Sequence, residues 1–414
     1  MPPADAGRRF PDVRGLHTLQ ADLHQHTVFS DGVVWPHVRV AEARADELDV
    51  IAITDHLEWQ PHQADLPNPD RNRGYEIARA ASKLPDGLSE GDLWILERRA
   101  AGDEAAIAAQ HILSAKPDSG PPPAPRRPVL VLPGAEITRG HSQHGRPALG
   151  HVSALLVADV NRLLLSDPLE VLQEVRRQDG FAFWNHPWSS PPPGDGVCRL
   201  GPWHDGLIRQ GLISGIEIAN DRSFSEEAFR MALEHDLTMI GSSDIHGLIG
   251  AEHPLDRGRL RPITLVFAED RTEAAVKHAL RSRHTAVCFR QTLIGRPEWI
   301  EPLLQACLSA GTGHYQPEPG AFSVQERPTT SVLRVQIRNA SGLALLLRGT
   351  GPYSIVGDPG PIPVPAHSYV DVAALTGTRL QHADLRFEVL NGLIAPRRHP
   401  EVVLPVSIAD QEVS

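Results

Sequence analysis

The sequence contains few cysteines and no long apolar run. Three cysteines in 414 residues, with no CxxC pair, exclude a disulfide framework. No stretch approaches the roughly 18–20 apolar residues of a membrane span. The first residues, MPPADAGRRFPDVRG, also lack the apolar core of a signal peptide. The sequence therefore predicts a protein that makes no membrane contact and, by default, a cytoplasmic location.

The chain is also short of positive charge. Lysine and arginine number 40 against 51 acidic residues, a formal net charge of −11. Long nucleic acids favour a basic face, so they are not expected as partners. No G-x-G-x-x-G after a strand, Walker pattern or G-x-S-x-G elbow is present, which argues against nucleotide cofactors and a serine nucleophile. An acidic protein can still act on phosphates when bound cations reverse the local potential.

The length predicts two domains. Over residues 18–294, apolar β-branched runs alternate with helical patterns, which favours a parallel α/β barrel or a doubly wound sheet. The predicted strands are Leu48–Thr54, Val129–Ile137, His151–Val157, Phe181–Asn185, Gly215–Ala219, Leu237–Ser242 and Pro262–Phe267. The predicted helices are Trp35–Asp46, Tyr75–Lys83, Pro168–Gln178, Ser225–His235 and Thr272–Arg283.

Two segments depart from this alternation. Residues of about 88–127 hold a charged helical piece and a proline-rich run, and are interpreted as an insertion. Residues 295–414 show alternating apolar and polar positions punctuated by Gly and Pro, as in Ser331–Asn339. That pattern predicts a β-rich C-terminal domain.

Histidine is the one abundant residue type with an unusual distribution. Of 21 histidines, 17 precede residue 291, since only His314, His367, His382 and His399 follow it (21 − 4 = 17). Nearly every predicted strand up to Ser242 begins or ends at a His, Asp or Glu. The candidate ligands are His24, His26, Asp31, His56, Glu136, His151, His186, Asp244 and His246.

These side chains are expected to converge because sites in parallel α/β folds lie at the carboxyl ends of the strands. Their imidazoles and carboxylates suit two or three divalent ions such as Zn²⁺, Mn²⁺ or Fe²⁺. A bridging carboxylate would hold two ions about 3.5–4 Å apart, and the resulting metal-bridging hydroxide could attack phosphorus. The pattern predicts a metal-dependent hydrolase of phosphoesters, either a phosphomonoesterase or a phosphodiesterase.

The motifs resemble those of the PHP family, the polymerase and histidinol phosphatase superfamily. They are H-x-H-x(4)-D-G from His24, T-D-H ending at His56, G-x-E at Glu136, N-H-P at His186 and S-D-x-H from Asp244. The resemblance covers about residues 18–290 and implies a distorted (β/α)₇ barrel with a trinuclear metal centre. The β-rich tail is similar to that of a subgroup of bacterial PHP phosphoesterases.

The resemblance also implies how the ligands divide among three ions. One ion would take His24, His26, Glu136 and Asp244, and a second would take Glu136, His151 and His186. The third would take Asp31, His56 and His246. His141 and His144 are alternatives to His151, which is preferred because it begins a strand.

Further residues are assigned supporting roles. Asp22 and Asp55, adjacent to ligand positions, are expected to orient imidazoles. A phosphate site usually has a cationic clamp, so Arg139 and Arg222, together with Asn185, are candidate substrate-binding residues. The expected partner is a small phosphorylated substrate or a short nucleotide.

Two other functions remain open. One is an amidohydrolase-like metal hydrolase acting on a C–N or C–O ester bond. That chemistry usually uses a bridging lysine after a mid-barrel strand, and none occurs at these positions. The other is a non-catalytic, metal-binding PHP scaffold whose β-rich tail binds a partner.

Overall fold

A computed structural model describes residues 10–84, 128–189, 195–253, 260–315, 331–357 and 360–409. The predicted insertion at about 88–127 lies outside the described residues. The strands of the first region are β1 (His17–Asp22), β2 (Val50–Ile53), β3 (Leu130–Arg139), β4 (Gly150–Leu155), β5 (Phe181–Trp184), β6 (Gly215–Asn220), β7 (Ser223–Phe224), β8 (Thr238–Ser242), β9 (Ile263–Ala268), β10 (Thr285–Phe289) and β11 (Thr292–Gly295).

Helices alternate with these strands, and three of them begin after a residue whose side chain caps the first turn. The helices are α1 (Pro36–Ala45), α2 (Arg73–Ser82), α3 (Pro168–Arg177), α4 (Pro202–Arg209), α5 (Glu226–Glu234), α6 (Ile249–Glu252), α7 (Glu273–Arg281) and α8 (Pro297–Cys307). The Asp167 carboxylate accepts the Leu169 N–H at 2.8 Å, and Ser225 Oγ accepts the Ala228 N–H at 3.1 Å. These contacts satisfy backbone donors that a first helical turn leaves unpaired. Helices α4, α6 and α8 were not predicted.

The strands form a curled, mixed sheet. β1, β2 and β3 are parallel to one another, as are β5, β6 and β8. β8 approaches β9 on its other side, where Thr264 Oγ1 bonds to the amide and carbonyl of Gly241 at 3.0 and 2.9 Å. A parallel bridge between Gln25 and Ile245 joins the segments that follow β1 and β8.

The prediction of a parallel sheet was wrong for two strands. β4 is antiparallel to β3 and β5, and β9 is antiparallel to β1 and β10. Val, Ile and Leu content reflects burial on both faces, which a strand of either direction can have. The described fold is therefore mixed α/β and not uniformly parallel.

The C-terminal region is β-rich, as predicted. Its strands are β12 (Leu308–Ala310), β13 (His314–Tyr315), β14 (Val332–Asn339), β15 (Leu345–Gly349), β16 (Ser354–Ile355), β17 (Ile362–Val364), β18 (Ser368–Leu375), β19 (His382–Val389), β20 (Gly392–Leu393) and β21 (Glu401–Ser407). They make a five-stranded and a four-stranded sheet, while β20 pairs with β11 of the large sheet. Buried and exposed residues alternate along β14, which places one face of each sheet against the core.

One hydrophobic cluster crosses between the two regions. It contains Ile51 and Phe267 of the large sheet, Trp299 of α8, and Leu333 and Phe387 of the C-terminal strands. The two regions are therefore packed against each other through a shared apolar core. Among the described residues, no helix has the length and apolar character to cross a membrane.

Candidate metal centre

The predicted ligands meet at one edge of the large sheet. His24 and His26 follow β1, His56 follows β2, and Glu136 lies within β3. His186 follows β5, whereas Asp244 and His246 follow β8. Because β4 runs in the opposite direction, its first residues lie at this same edge, which explains why His151 is found there. The alternatives to it, His141 and His144, are exposed.

Glu136 lies at the centre of the cluster. Its Oε1 is 3.0 Å from His151 Nδ1, 3.4 Å from His24 Nε2 and 3.4 Å from His186 Nε2. Its Oε2 is 2.8 Å from His56 Nδ1 and 3.5 Å from His26 Nε2. A single buried carboxylate thus lies between imidazoles from four separate segments of the chain.

Asp244 is a second carboxylate beside the N-terminal histidine pair. Its Oδ1 is 3.2 Å from His24 Nε2 and 3.1 Å from His26 Nε2, and its Oδ2 is 3.6 Å from His186 Nε2. Asp244 and His186 have φ values of 53° and 26°, in the left-handed region that favours glycine. Such backbone strain is retained where surrounding contacts fix a functional geometry.

Asp31, His56 and His246 form the third part of the cluster. Asp31 Oδ1 is 3.2 Å from His246 Nε2, and Asp31 Oδ2 is 3.5 Å from His56 Nε2. The rings of His26 and His246 are stacked with centroids 4.2 Å apart. His26 therefore connects this group to the pair that contacts Asp244.

The donor atoms fit divalent cations. Four groups of three or four side chains each place their donor atoms within 4.8 Å of one another, and together they include all nine predicted ligands. Glu136 Oε2 and Asp31 Oδ1 are buried, yet neither receives a hydrogen bond of good geometry from the described residues. Buried oxygens of this kind require compensation, and a bound cation would provide it. The groups differ from the implied division, since His26 joins Asp31, His56 and His246.

Charges within the cluster favour cation binding. Burial alone would raise the pKa of Glu136, but the imidazoles of His24 and His56 outweigh it and hold the pKa well below its usual range. Burial would likewise raise the pKa of Asp244, and His24, His26 and His186 lower it instead. These carboxylates are therefore anionic at neutral pH. Their charge stabilises either protonated histidines or bound metal ions.

The histidines respond to the same carboxylates. Burial lowers the pKa of His56, but Glu136 and Asp31 outweigh it and raise the pKa to about 10. The pKa of His24 is raised well above its ordinary value in the same way by Asp244, Glu136 and Glu217. Burial prevails at His26 and lowers its pKa to about 4. Protons and metal ions therefore compete for these nitrogens.

Glu217 is a functional residue that the sequence prediction missed. It is buried in β6 and accepts a hydrogen bond from His24 Nδ1 at 2.9 Å and from the His186 backbone N–H at 2.7 Å. Because Nδ1 donates to Glu217, Nε2 of His24 presents its lone pair to the cluster. The available signal was a single acidic residue inside the otherwise apolar run GIEIA.

The structure corrects the roles of the two aspartates expected to orient imidazoles. Asp22 hydrogen-bonds to no imidazole within the described residues; it accepts from Ser243 Oγ at 2.6 Å, Gln25 Nε2 at 2.8 Å and Arg261 Nη1 at 3.1 Å. It therefore fixes the backbone beside the ligands. Asp55 acts through a hydroxyl, since it accepts from Ser30 Oγ at 2.7 Å and Ser30 Oγ is 3.2 Å from His26 Nδ1.

Two of the three candidate substrate-binding residues contact protein groups in the structure. Asn185 is buried, and its amide donates to Glu136 Oε1 at 2.7 Å and Ser153 Oγ at 2.9 Å, so it positions Glu136. Arg139 Nε is 2.8 Å from Glu58 Oε1, and its Nη2 donates to the Leu165 carbonyl at 2.6 Å. These partners occupy its guanidinium. Arg222 is mostly exposed and makes only long contacts, such as 3.7 Å to Asp221.

A buried arginine joins two of the ligand-bearing segments. Arg39 of α1 donates to the carbonyls of His26 at 2.9 Å, Ile245 at 3.0 Å and Gly247 at 2.7 Å. Glu42 balances its charge at 2.8 Å. Arg39 therefore holds the backbone that carries His26 against the backbone on either side of His246.

Comparison with solved structures matches the whole chain to one two-domain architecture. A crystal structure from Bacteroides vulgatus ATCC 8482 is described as a two-domain protein containing a predicted PHP-like metal-dependent phosphoesterase. It is 29% identical, with a TM-score of 0.72, and the match covers 97% of this chain and 98% of that one. The chain is therefore similar, over nearly its whole length, to a PHP-like two-domain protein. The family resemblance deduced from the ligand motifs is thereby confirmed.

The other solved structures are more distant from this chain. A putative metal-dependent phosphoesterase from Bifidobacterium adolescentis ATCC 15703 is 17% identical, with a TM-score of 0.36, covering 65% of this chain and 97% of that one. PsfC from Pseudomonas syringae PB-5123 is 18% identical, with a TM-score of 0.39, covering 66% and 92%. A family model described as an Ig-like domain (DUF5001) matches residues 321–405. No curated protein sequence matches significantly.

Proposed function

We propose that this protein is a metal-dependent phosphoesterase that hydrolyses a small phosphomonoester or phosphodiester. The observation that carries this proposal is Glu136, whose two buried oxygens lie 2.8–3.5 Å from nitrogens of five histidines. A carboxylate shared in this way suits a site that holds two ions side by side. The similarity to a protein containing a predicted PHP-like phosphoesterase supports the same reaction.

The nine ligands suffice for two or three ions, with Zn²⁺, Mn²⁺ and Fe²⁺ as candidates. One ion would be held by His24, His26 and Asp244, a second by His151 and His186, with Glu136 shared between them. A third would be held by Asp31, His56 and His246. When bound, such ions polarise phosphate oxygens and lower the pKa of water.

The surrounding residues maintain the ligands in one arrangement. Glu217 fixes the orientation of His24, and Asn185 fixes Glu136. Ser30, held by Asp55, contacts His26. Arg39 and Asp22 immobilise the backbone beside three ligand positions. Because these contacts already fix the ligand side chains, little conformational entropy would be lost when a substrate binds.

We also propose the broader organisation that the sequence suggested. Residues 18–294 would form a distorted (β/α)₇ barrel, and residues 295–414 a separate β-rich domain. The net charge of −11 favours a small phosphorylated substrate or a short nucleotide over a long nucleic acid. Arg222, exposed after β6, remains the candidate cation for a substrate phosphate.

The test is an activity assay of the purified full-length protein with substrates that differ in the bond to be hydrolysed. Metal content is measured first, and turnover is then compared for aryl phosphate monoesters, aryl phosphate diesters, carboxylic esters and amides with Mn²⁺ or Zn²⁺. We expect phosphoester hydrolysis that chelator abolishes and added metal restores. Preference for an amide or carboxylic ester would favour the amidohydrolase-like alternative. Full metal loading without turnover would favour a non-catalytic scaffold.

A further inference from the structure

Exposed apolar side chains are concentrated around one part of the metal centre. Of nine large hydrophobic side chains exposed among the described residues, four lie on the segments that carry Asp31, His56 and His246. These four, the apolar rim, are Val33 (67% exposed), Trp35 (39%), Trp59 (54%) and Leu248 (55%). Exposed apolar surface grouped beside a polar site is typical of a ligand-binding surface.

Trp59 is held next to a proposed metal ligand. Its ring centroid is 5.6 Å from that of His56, with the two planes at 45°. The preceding residue, Glu58, accepts the Thr138 backbone N–H at 2.7 Å and pairs with Arg139 at 2.8 Å. The segment that carries Trp59 is therefore hydrogen-bonded to β3. The indole of Trp59 is exposed, but its backbone is held in place.

Val33 and Leu248 lie beside His246 of the same group. The Val33 backbone N–H donates to the His246 carbonyl at 2.9 Å, and Leu248 follows His246 by two residues and immediately precedes α6. Arg39 fixes the carbonyls on both sides of His246. The His246 side chain is 37% exposed, more than that of any other ligand in the cluster. The centre therefore opens to solvent where the rim lies.

Charge is distributed unequally around this opening. Arg139, close to His56, is neutralised by Glu58. Arg222 follows β6, on the side of Asp244, where Asn220 Nδ2 is 3.4 Å from Asp244 Oδ2. The exposed apolar side chains thus belong to the segments of His56 and His246, and the candidate cation Arg222 belongs to the segment after β6.

We propose that the substrate is a phosphoester with an aromatic or similarly flat, apolar organic group, and that this group lies on the apolar rim against Trp59. The inference rests on the proposed phosphoesterase function, which places the phosphoryl group among the nine ligands. A flat apolar group would cover the exposed indole and the Val33 and Leu248 side chains. An aromatic contact of this kind stabilises a complex beyond the burial of area alone.

The experiment compares the metal-loaded full-length protein with two rim variants. Values of kcat/KM are measured for 1-naphthyl phosphate and ethyl phosphate, or for the matching diesters if only diesters are hydrolysed. Trp59→Ala should lower the naphthyl-to-ethyl ratio about tenfold and Leu248→Ser about threefold. Dividing each variant's ratio by that of the parent protein removes the difference in leaving-group reactivity.

Tyr369→Ala is the matched control, because Tyr369 is 55% exposed but lies on β18. It should leave the ratio unchanged. Metal content is measured for every variant, and Leu248→Ser decides the outcome if Trp59→Ala loses metal. An unchanged ratio in the metal-loaded rim variants overturns the inference while leaving the phosphoesterase proposal intact.

Binding separates the two proposals when there is no turnover. Inhibitor-like phenylphosphonate and methylphosphonate are titrated against the metal-loaded protein by calorimetry. Suppose that phenylphosphonate binds more tightly than methylphosphonate, that Trp59→Ala removes this difference, and that no phosphoester is hydrolysed. That result would support the apolar rim as a binding surface and refute the proposed reaction. Equal affinity of the two phosphonates would refute the rim whether or not hydrolysis occurs.

Discussion

The two regions of this protein bury polar groups in different ways. Around the large sheet, charged or ionisable side chains such as Asp22, His24, Glu136 and Glu217 are almost fully buried. In the described C-terminal region, the buried polar residues are the uncharged Asn339, Ser341 and Asn391. Buried charges are costly unless they are paired or bind a cation, whereas buried amides need only hydrogen bonds.

The amides of the C-terminal region have such bonds. Asn339 Nδ2 donates to the Leu343 carbonyl at 2.7 Å, and Asn391 Nδ2 donates to the carbonyls of Gln291 at 2.7 Å and Ala344 at 2.8 Å. These contacts hold loops in place. The comparison shows that polar burial serves folding in one region and ligand assembly in the other.

Replacement of Glu136 should have the largest effect. Glu136→Gln removes the shared charge, and breaking a buried ionic contact costs about 3–5 kcal/mol. We expect metal content to fall and kcat/KM for a phosphoester to drop about 10³-fold, as measured by elemental analysis and steady-state kinetics. Glu174→Gln is the control, since Glu174 is equally buried but contacts Arg162 of the surface at 3.0 Å. Equal metal content in the two variants would contradict the central role of Glu136.

Loss of a core side chain should separate stability from metal binding. Phe387→Ala in β19 should lower the free energy of unfolding by about 3–5 kcal/mol, because a buried aromatic ring leaves a cavity. Metal content per folded chain should stay unchanged. Urea denaturation and elemental analysis measure the two quantities. Phe183→Ala is the matched variant, since Phe183 is buried in β5 two residues before Asn185, and it should reduce both.

Removal of the charge behind His24 should have an intermediate effect. Glu217→Gln weakens the acceptor that orients His24, and changes of this kind reduce metal affinity about 10–100-fold. Competition with a chromogenic chelator measures the affinity. Glu298→Gln, an exposed position on α8, provides the control and should leave affinity unaltered. Affinity that is equal in both variants would remove Glu217 from the centre.

The smallest effect is a difference in pH slope between the two metal states: the stability of the metal-free protein should fall with pH, and that of the metal-loaded protein should not. Without metal, the raised pKa of His56, about 10, contributes stability that is complete below the unfolded value of roughly 6.5. That contribution is lost as the pH rises through 10. With metal, deprotonation favours binding, so the stability gained from the ion should grow with pH above about 6.5. Thermal unfolding of chelated and metal-loaded protein over pH 6–10 tests this, and parallel curves would contradict it.

The sequence was most informative where two ligands share one strand end. The spacing of His24 and His26, and that of Asp244 and His246, showed the edge of the sheet on which a site would form. The structure places the nine predicted ligands in four overlapping groups, and within each group the donor atoms lie within 4.8 Å of one another. Their positions could be predicted because strand ends are visible as the limits of apolar runs.

The direction of each strand and the hydrogen bonds between residues distant in sequence could not be predicted from apolar runs. β4 was taken as parallel because its apolar content reports burial and not orientation. The contacts of Arg139 with Glu58 and of Asn185 with Glu136 could not be predicted, because these partners are distant in sequence. Glu217 was missed because one acid in an apolar strand is also compatible with a surface position. Helix α8 was missed within a region dominated by strand patterns.

The short strand β20 has a consequence for the large sheet. By pairing with Leu293 and Ile294 of β11, it occupies backbone groups at an edge that would otherwise be bare. Uncovered strand edges recruit other chains. The C-terminal region therefore supplies the strand that covers this edge, and loss of β20 would leave the backbone groups of Leu293 and Ile294 open to pairing with another chain.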